Sequence, residues 1–329
     1  MSLSVLICDD SSMARKQMAR SLPKDWAGEV NFACHGGEAM TWLRQNPTDV
    51  LFLDLTMPEM DGYQVLEAIG QEGIAVKTIV VSGDIQPEAQ QRVKSLGALE
   101  FVQKPVSTEQ IHELIERFQL VSQGEVADAA AGLEVSLHDC YQEVVNVAMG
   151  QAADRLARLL GVFVKLPVPK VNILEPTELE MALQAVSDQK SLSAVCQGFI
   201  GSGISGEAMV LFSDADFSSI GQLMNFTLPL SDSDQLDVLM DVSNILISAC
   251  LRGVAEQLDV EFSQGHPVIL GQHCSIDDLI SALRQKPQRL MAIEINYDLE
   301  DQNITCDLLL LFTADSMPAL DSRVRLILE

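Results

Sequence analysis

Residues 50–58 read Val50-Leu51-Phe52-Leu53-Asp54-Leu55-Thr56-Met57-Pro58. Four apolar residues without a break, closed by an acid and then by a proline, have the pattern of a short strand covered on both faces. Asp54 stands where that strand ends, and Pro58 with Asp61-Gly62 punctuates the turn into the next helical period. Outward from this stretch the unit recurs. Val5–Cys8, Val30–Ala33, Thr78–Val81 and Glu100–Val102 read as strands, with helical periods at Ser12–Leu22, Gly37–Arg44, Tyr63–Ile69, Pro87–Leu96 and Thr108–Phe118. Strand and helix alternating five times predict an α/β domain over residues 1–120, a (βα)5 doubly wound parallel sheet with helices on both faces.

In such a sheet, ligands bind beyond the carboxyl ends of the strands. Asp9 and Asp10 follow the first strand, Asp54 the third, Ser82 the fourth, and Lys104 before Pro105 the fifth. Three carboxylates at one edge repel unless a cation lies among them, and all-oxygen ligands without Cys or His suit Mg²⁺. One lysine and one hydroxyl complete a pocket able to hold a phosphoryl group. The residues Asp9-Asp10-Ser11, Asp54 to Pro58 with Asp61-Gly62, Val81-Ser82-Gly83 and Lys104-Pro105 resemble a response-regulator receiver domain of the CheY type. The resemblance implies that Asp54 is the phosphoacceptor. It implies that Asp10, Asp54 and the Thr56 carbonyl ligate Mg²⁺ with Asp9 assisting. It also implies that Lys104 contacts the phosphoryl oxygens, and that Ser82 and Phe101 form the switch pair. Phe101 stands where the family more often has Tyr.

Residues 121–134 read as a linker, and from residue 135 the pattern changes. Long helices are expected at Leu137–Leu160 and Asp234–Gln257, a shorter one at Thr177–Gln184, and strands at Val164–Val171, Ser193–Ile200, Glu207–Phe212, Arg289–Tyr297 and Thr305–Phe312. Asp139, Glu143, Asn146 and Pro169 recur at identical spacing as Asp237, Asp241, Asn244 and Pro267. At about 100° per residue, the two acids and the amide fall within roughly 60° of one another on a helix. The stretch 135–329 is therefore expected to be an α/β domain with an internal pseudo-two-fold duplication, in repeats of about 135–232 and 233–329. A carboxamide can orient a water by donating and accepting hydrogen bonds, and an acid beside it can pair with a cation on a partner. Positioning a water in line with phosphorus is how glutamine serves in GTPases. For Asn146 this requires an outward-facing amide.

These stripes resemble those of the CheC/CheX/FliY phosphatase family. By that resemblance Asn146 positions the hydrolytic water and Glu143 pairs with a receiver's phosphate-contacting lysine. Asp139 and Pro169 support the motif, as do Asp237 and Pro267. Asp241 and Asn244 form the second catalytic pair, with Asp241 one methylene shorter than the family's Glu. The implied protein is a two-component chemotaxis signalling protein, a hydrolase of phospho-aspartate. Its implied partners are a cognate histidine kinase and a phosphorylated CheY-like regulator. Two alternatives stay open: action only on its own receiver, in the same chain or a dimer mate, and a non-catalytic adaptor bound by CheD-like or flagellar switch proteins; a homodimer is a further possible partner.

Composition narrows the field. The net charge of −26, with its larger share beyond residue 120, would be repelled by phosphate backbones, so no nucleic-acid role is expected. The seven cysteines include no CxxC pair, which speaks against zinc and against a disulfide framework. No basic, apolar leader opens the chain and no apolar run suggests a membrane span, so a cytoplasmic location is expected.

Overall fold

The computed structural model describes residues 3–23, 28–118, 120, 133–174, 191–274, 290–302 and 304–328. The expected linker lies largely outside these residues, and the expected helix at Thr177–Gln184 wholly so. The chain divides into two compact units, Met1–Glu143 and Val144–Glu329.

In the first unit five strands, β1 (Leu3–Cys8), β2 (Gly28–Ala33), β3 (Val50–Leu53), β4 (Lys77–Ser82) and β5 (Glu100–Gln103), form one parallel sheet in the order β2-β1-β3-β4-β5. Helices α1 (Ser12–Ser21), α2 (Gly36–Gln45), α3 (Gly62–Glu72), α4 (Pro87–Ser95) and α5 (Thr108–Arg117) follow their strands, each within two residues of expectation except at the end of α3. Strand residues alternate between two cores. Leu6, Leu51, Leu53 and Val80 pack on one face with α2 and α3 residues such as Met40 and Val65. Val5, Ile7, Phe52 and Ile79 pack on the other with Met18, Ile111 and Ile115. Burial on both faces explains the unbroken apolar runs.

Helix starts are set locally. Ser11 caps α1 by accepting from the Ala14 amide, while Asp61 and Ser107 form capping boxes with Gln64 and Gln110 at α3 and α5. A further helix, α6 (Leu137–Leu160), begins in this unit, with Ser136 Oγ accepting from the Asp139 amide at 3.1 Å.

The second unit is built on an antiparallel sheet. The expected strand at Val164–Val171 is two pieces, β6 (Val164–Lys165) and β7 (Lys170–Leu174), separated by Pro167 and Pro169. Proline cannot donate to a ladder, which accounts for the break. Next come the hairpin β8 (Leu192–Gly201) and β9 (Ile204–Ser213), helix α7 (Phe217–Leu223) and helix α8 (Asp232–Leu258). They are followed by β10 (Ser263–Gln264), β11 (Val268–Cys274), the hairpin β12 (Leu290–Leu299) and β13 (Ile304–Thr313), and helix α9 (Met317–Leu328). The strands β9 and β13 pair at the middle of the sheet, β10 and β11 pair with β8, and β6 and β7 pair with β12. Sequence reading had missed β10, β11, α7 and α9, all of them short or weakly patterned.

The helix α8 is 27 residues long, with a stretch of mean hydropathy 1.5 that meets the length and composition of a membrane span. The sequence reading had seen no such run. Of that stretch 67% is buried inside the protein, as expected of a core helix. It lies close against the second-unit part of α6: a Cβ at Gly253 would come 2.6 Å from the Ala148 Cα. Only glycine permits that approach.

Candidate functional site

β1, β3, β4 and β5 are four consecutive parallel strands of the sheet, so the residues after them lie along one edge. Asp54 is 1% exposed and Lys104 3%, with Asp9 and Ser82 buried beside them. Lys104 Nζ stands 2.8 Å from Asp9 Oδ2, 3.1 Å from Asp54 Oδ1 and 3.3 Å from Glu143 Oε1. Asp54 Oδ2 accepts from the Thr56 amide at 2.7 Å. Its Oδ1, though near the ammonium, has no hydrogen-bond partner among the described residues. Ser82 Oγ accepts from the Asp84 amide at 3.1 Å. Phe101 is half-buried against the core cluster containing Leu53 and Val80.

The electrostatics follow from three buried acids, Asp9, Asp54 and Glu143, and the half-buried Asp10 around one ammonium. Burial pushes the Asp54 carboxyl well above its ordinary value, against the pull of Lys104. Burial, helped by Asp9, lifts Asp10 to about 7. Glu143 is raised by burial as well. Burial alone would lower Lys104, but Asp54, Asp9 and Glu143 hold it well above its usual value. Among the described residues no group of three or more acidic, His or Cys side chains is placed to hold a metal ion. Asp9, expected to assist Mg²⁺, turns to Lys104 and to the Ser11 amide at 2.9 Å.

Two residues here escaped the sequence reading. Arg15, buried, donates through Nη1 to the Asp9 carbonyl at 2.6 Å and the Asp10 carbonyl at 3.2 Å, bracing the acid pair. A cation in the first turn of a helix opposes the macrodipole, and that was the available signal. Gln142 donates from Nε2 to Asp10 Oδ2 at 3.1 Å, and spacing gave no hint of it. Asp139, expected as motif support, accepts from Ser12 Oγ and from the Ser136 amide at 3.2 Å. His138 lies on the surface.

The strand end itself demands close packing. The Gly62 amide donates to the Leu55 carbonyl at 3.0 Å, and a Cβ there would come within 2.2 Å of the Asp54 carbonyl oxygen. Gly62→Ala should therefore cost about 1–3 kcal/mol, as overpacking does, read as a lower urea midpoint for the first unit. Gly70→Ala, with nothing within 4 Å, is the matched control and should lose nothing.

In the second unit Asn146 departs from expectation. Its side chain does not face outward: it is 5% exposed, because every residue from Val144 to Met149 on α6 is buried. Among the described residues its carboxamide forms no hydrogen bond. Pro169 is buried at the start of β7, and Pro267 half-buried before β11. Asp237, Asp241 and Asn244 all lie exposed on α8, as one stripe.

Residues 5–116 match the family model described as response regulator receiver domain. This segment is a receiver domain. Over 106 residues the chain is 39% identical to protein-glutamate methylesterase/protein-glutamine glutaminase 2 of Koribacter versatilis (strain Ellin345), covering 31% of this chain and 29% of that one. Over 117 residues it is 38% identical to protein-glutamate methylesterase/protein-glutamine glutaminase 5 of Myxococcus xanthus (strain DK1622), covering 34% and 33%. The chain thus spans about a third of the length of the curated relatives it matches. Among solved structures, the Vibrio cholerae chemotaxis protein CheY4 is 27% identical, covering 36% of this chain and 98% of that one, with a TM-score of 0.33.

Proposed function

We propose that this chain is a cytoplasmic signalling protein whose receiver is phosphorylated on Asp54 by a histidine kinase, and whose second unit is a CheC-like, internally duplicated phosphatase of phospho-aspartate in a CheY-like regulator. The observation that carries the reading is the ion pair between Glu143 and Lys104. The acid of the first stripe meets the one lysine of a receiver that contacts phosphoryl oxygens. A stripe whose acid suits that lysine carries its amide three residues further along the same helix. The equivalent pairing of β6 and β7 with β12, and of β10 and β11 with β8, supports the duplication.

The donor types at the receiver edge suit Mg²⁺, though among the described residues the side chains are not drawn together around an ion: Asp10, Asp54 and the Thr56 carbonyl offer oxygen only, Asp54 Oδ1 lies against Lys104 at 3.1 Å with no hydrogen bond, and the acids outnumber the cations. Bound there, the ion would offset charge on the phosphoryl group. In the chain's own receiver Lys104 would bind the phosphoryl oxygens and Asp54 would accept the group; on a phosphorylated CheY-like regulator, with the buried stripe of α6 uncovered, Asn146 would orient a water for attack at phosphorus and Glu143 would pair with that regulator's lysine. Ser82 and Phe101 would move on phosphorylation. On the exposed stripe, Asp241 and Asn244 would repeat the pair.

Because Glu143 meets the chain's own Lys104, action on its own phospho-Asp54 is the second reading. Both are tested on the full chain with a phosphorylated CheY-like protein added. Asn146→Ala should slow phosphate release about a hundred- to a thousandfold, as loss of one preorganised polar group does. A slowing confined to phospho-Asp54 selects the internal reaction. Equal rates in both assays, with binding to a CheD-like or switch protein retained, would leave an adaptor.

A further inference from the structure

The start of α6 makes four contacts inside the first unit that neither sequence spacing nor the phosphatase reading requires together. Ser12 Oγ donates to Asp139, Lys16 Nζ donates to the Leu133 carbonyl at 3.2 Å, Gln142 Nε2 donates to Asp10 Oδ2, and Glu143 faces Lys104. The last two occupy groups that a phosphoryl site needs free. Gln142 holds a carboxylate oxygen of an Mg²⁺ ligand, and Glu143 sets anionic oxygens against the lysine that would take phosphoryl oxygens. A small cavity of about 20 Å³ reaches Asp9, Asp54, Lys104 and Glu143 from the core side, where Ile7, Met18 and Phe52 line it.

We propose that the segment Leu133–Glu143 is a built-in occluding plug of the phosphoacceptor site, with Gln142 competing for the metal position and Glu143 for the phosphoryl position. Phosphorylation then requires the plug to leave, and the modified receiver differs from the resting one by release of the first turns of α6. The energetic logic is a population shift. A ligand that binds only the open form gains affinity by whatever factor the closed form is weakened. Loss of one hydrogen bond or partly neutralised charge pair corresponds to a several-fold change. This regulation goes beyond the phosphatase reading, since it concerns access to Asp54 rather than hydrolysis.

The test is calorimetric titration of the full chain with Mg²⁺ and beryllofluoride, a phosphoryl mimic that is not turned over. Gln142→Ala and Glu143→Gln should each bind about five- to tenfold tighter than the unaltered protein, while Gln151→Ala, further along α6 and bonded to Glu256, should bind as the unaltered protein does. Amide exchange over residues 137–143 should rise on addition of the mimic. Glu143→Gln keeps the shape of the side chain, so its result does not depend on tolerance of a cavity. Unchanged or weaker affinity in both plug variants, or protection of 137–143 that persists with the mimic bound, would overturn the proposal. Because no hydrolysis is measured, failure of the phosphatase reading would show in phosphate release and leave this titration untouched.

Discussion

Asp54→Asn is expected to abolish phosphoryl uptake from acetyl phosphate while making the first unit more stable at neutral pH. The first outcome follows from chemistry: an amide oxygen cannot form the acyl phosphate, and acid-labile phosphate on the chain should fall to background. The second follows from the surroundings. Asp54 is raised above its unfolded value of 3.8 by burial, against Lys104, with Asp9, Asp10 and Glu143 adding to the rise. A carboxyl raised on folding favours the folded state fully below its unfolded value and loses that favour as pH climbs through the raised one. Asparagine carries no charge to lose. The variant should therefore approach the unaltered protein in acid and exceed it at about pH 8 in thermal unfolding. Residual phosphoryl uptake would remove Asp54 from its role, and lower stability at high pH would contradict the electrostatic account.

Lys104→Met is the opposite case. The methionine fills much of the same volume but leaves Asp9, Asp54 and Glu143 buried without their shared cation. Breaking a buried ion pair by removing one partner costs about 3–5 kcal/mol. The side chains concerned are nearly sealed, so solvent screening gives little relief. The loss should be largest above about pH 7, the value to which Asp10 is lifted, and should shrink on acidification as the raised carboxyls take up protons. Chemical denaturation of the first unit across that range checks the sign. A loss independent of pH would mean that packing, not charge, is what Lys104 supplies.

Much of the receiver was legible because its signals are local. A parallel strand buried on both faces must be apolar throughout, so Val50–Leu53 could be read with no partner in view. The strand-end acids, Ser82 and Lys104 then fell into place by topology alone. The second unit was less legible. The two long helices were found within about two residues of their observed bounds, yet β10 is two residues long and takes its identity from pairing with β8. A strand that short has no periodicity to detect.

The sequence by itself determined the five-fold alternation, the converging acids and lysine, and the repeated acid–amide spacing, since each depends on chain periodicity and residue chemistry. Tertiary structure alone decided which groups share a charge. That Gln142 meets Asp10, that Glu143 shares Lys104 with Asp9 and Asp54, and that Asn146 lies buried while Asn244 lies exposed are outcomes of burial and long-range approach. Two copies of one spacing present the same face of a helix; what each face meets depends on what the rest of the chain packs against it.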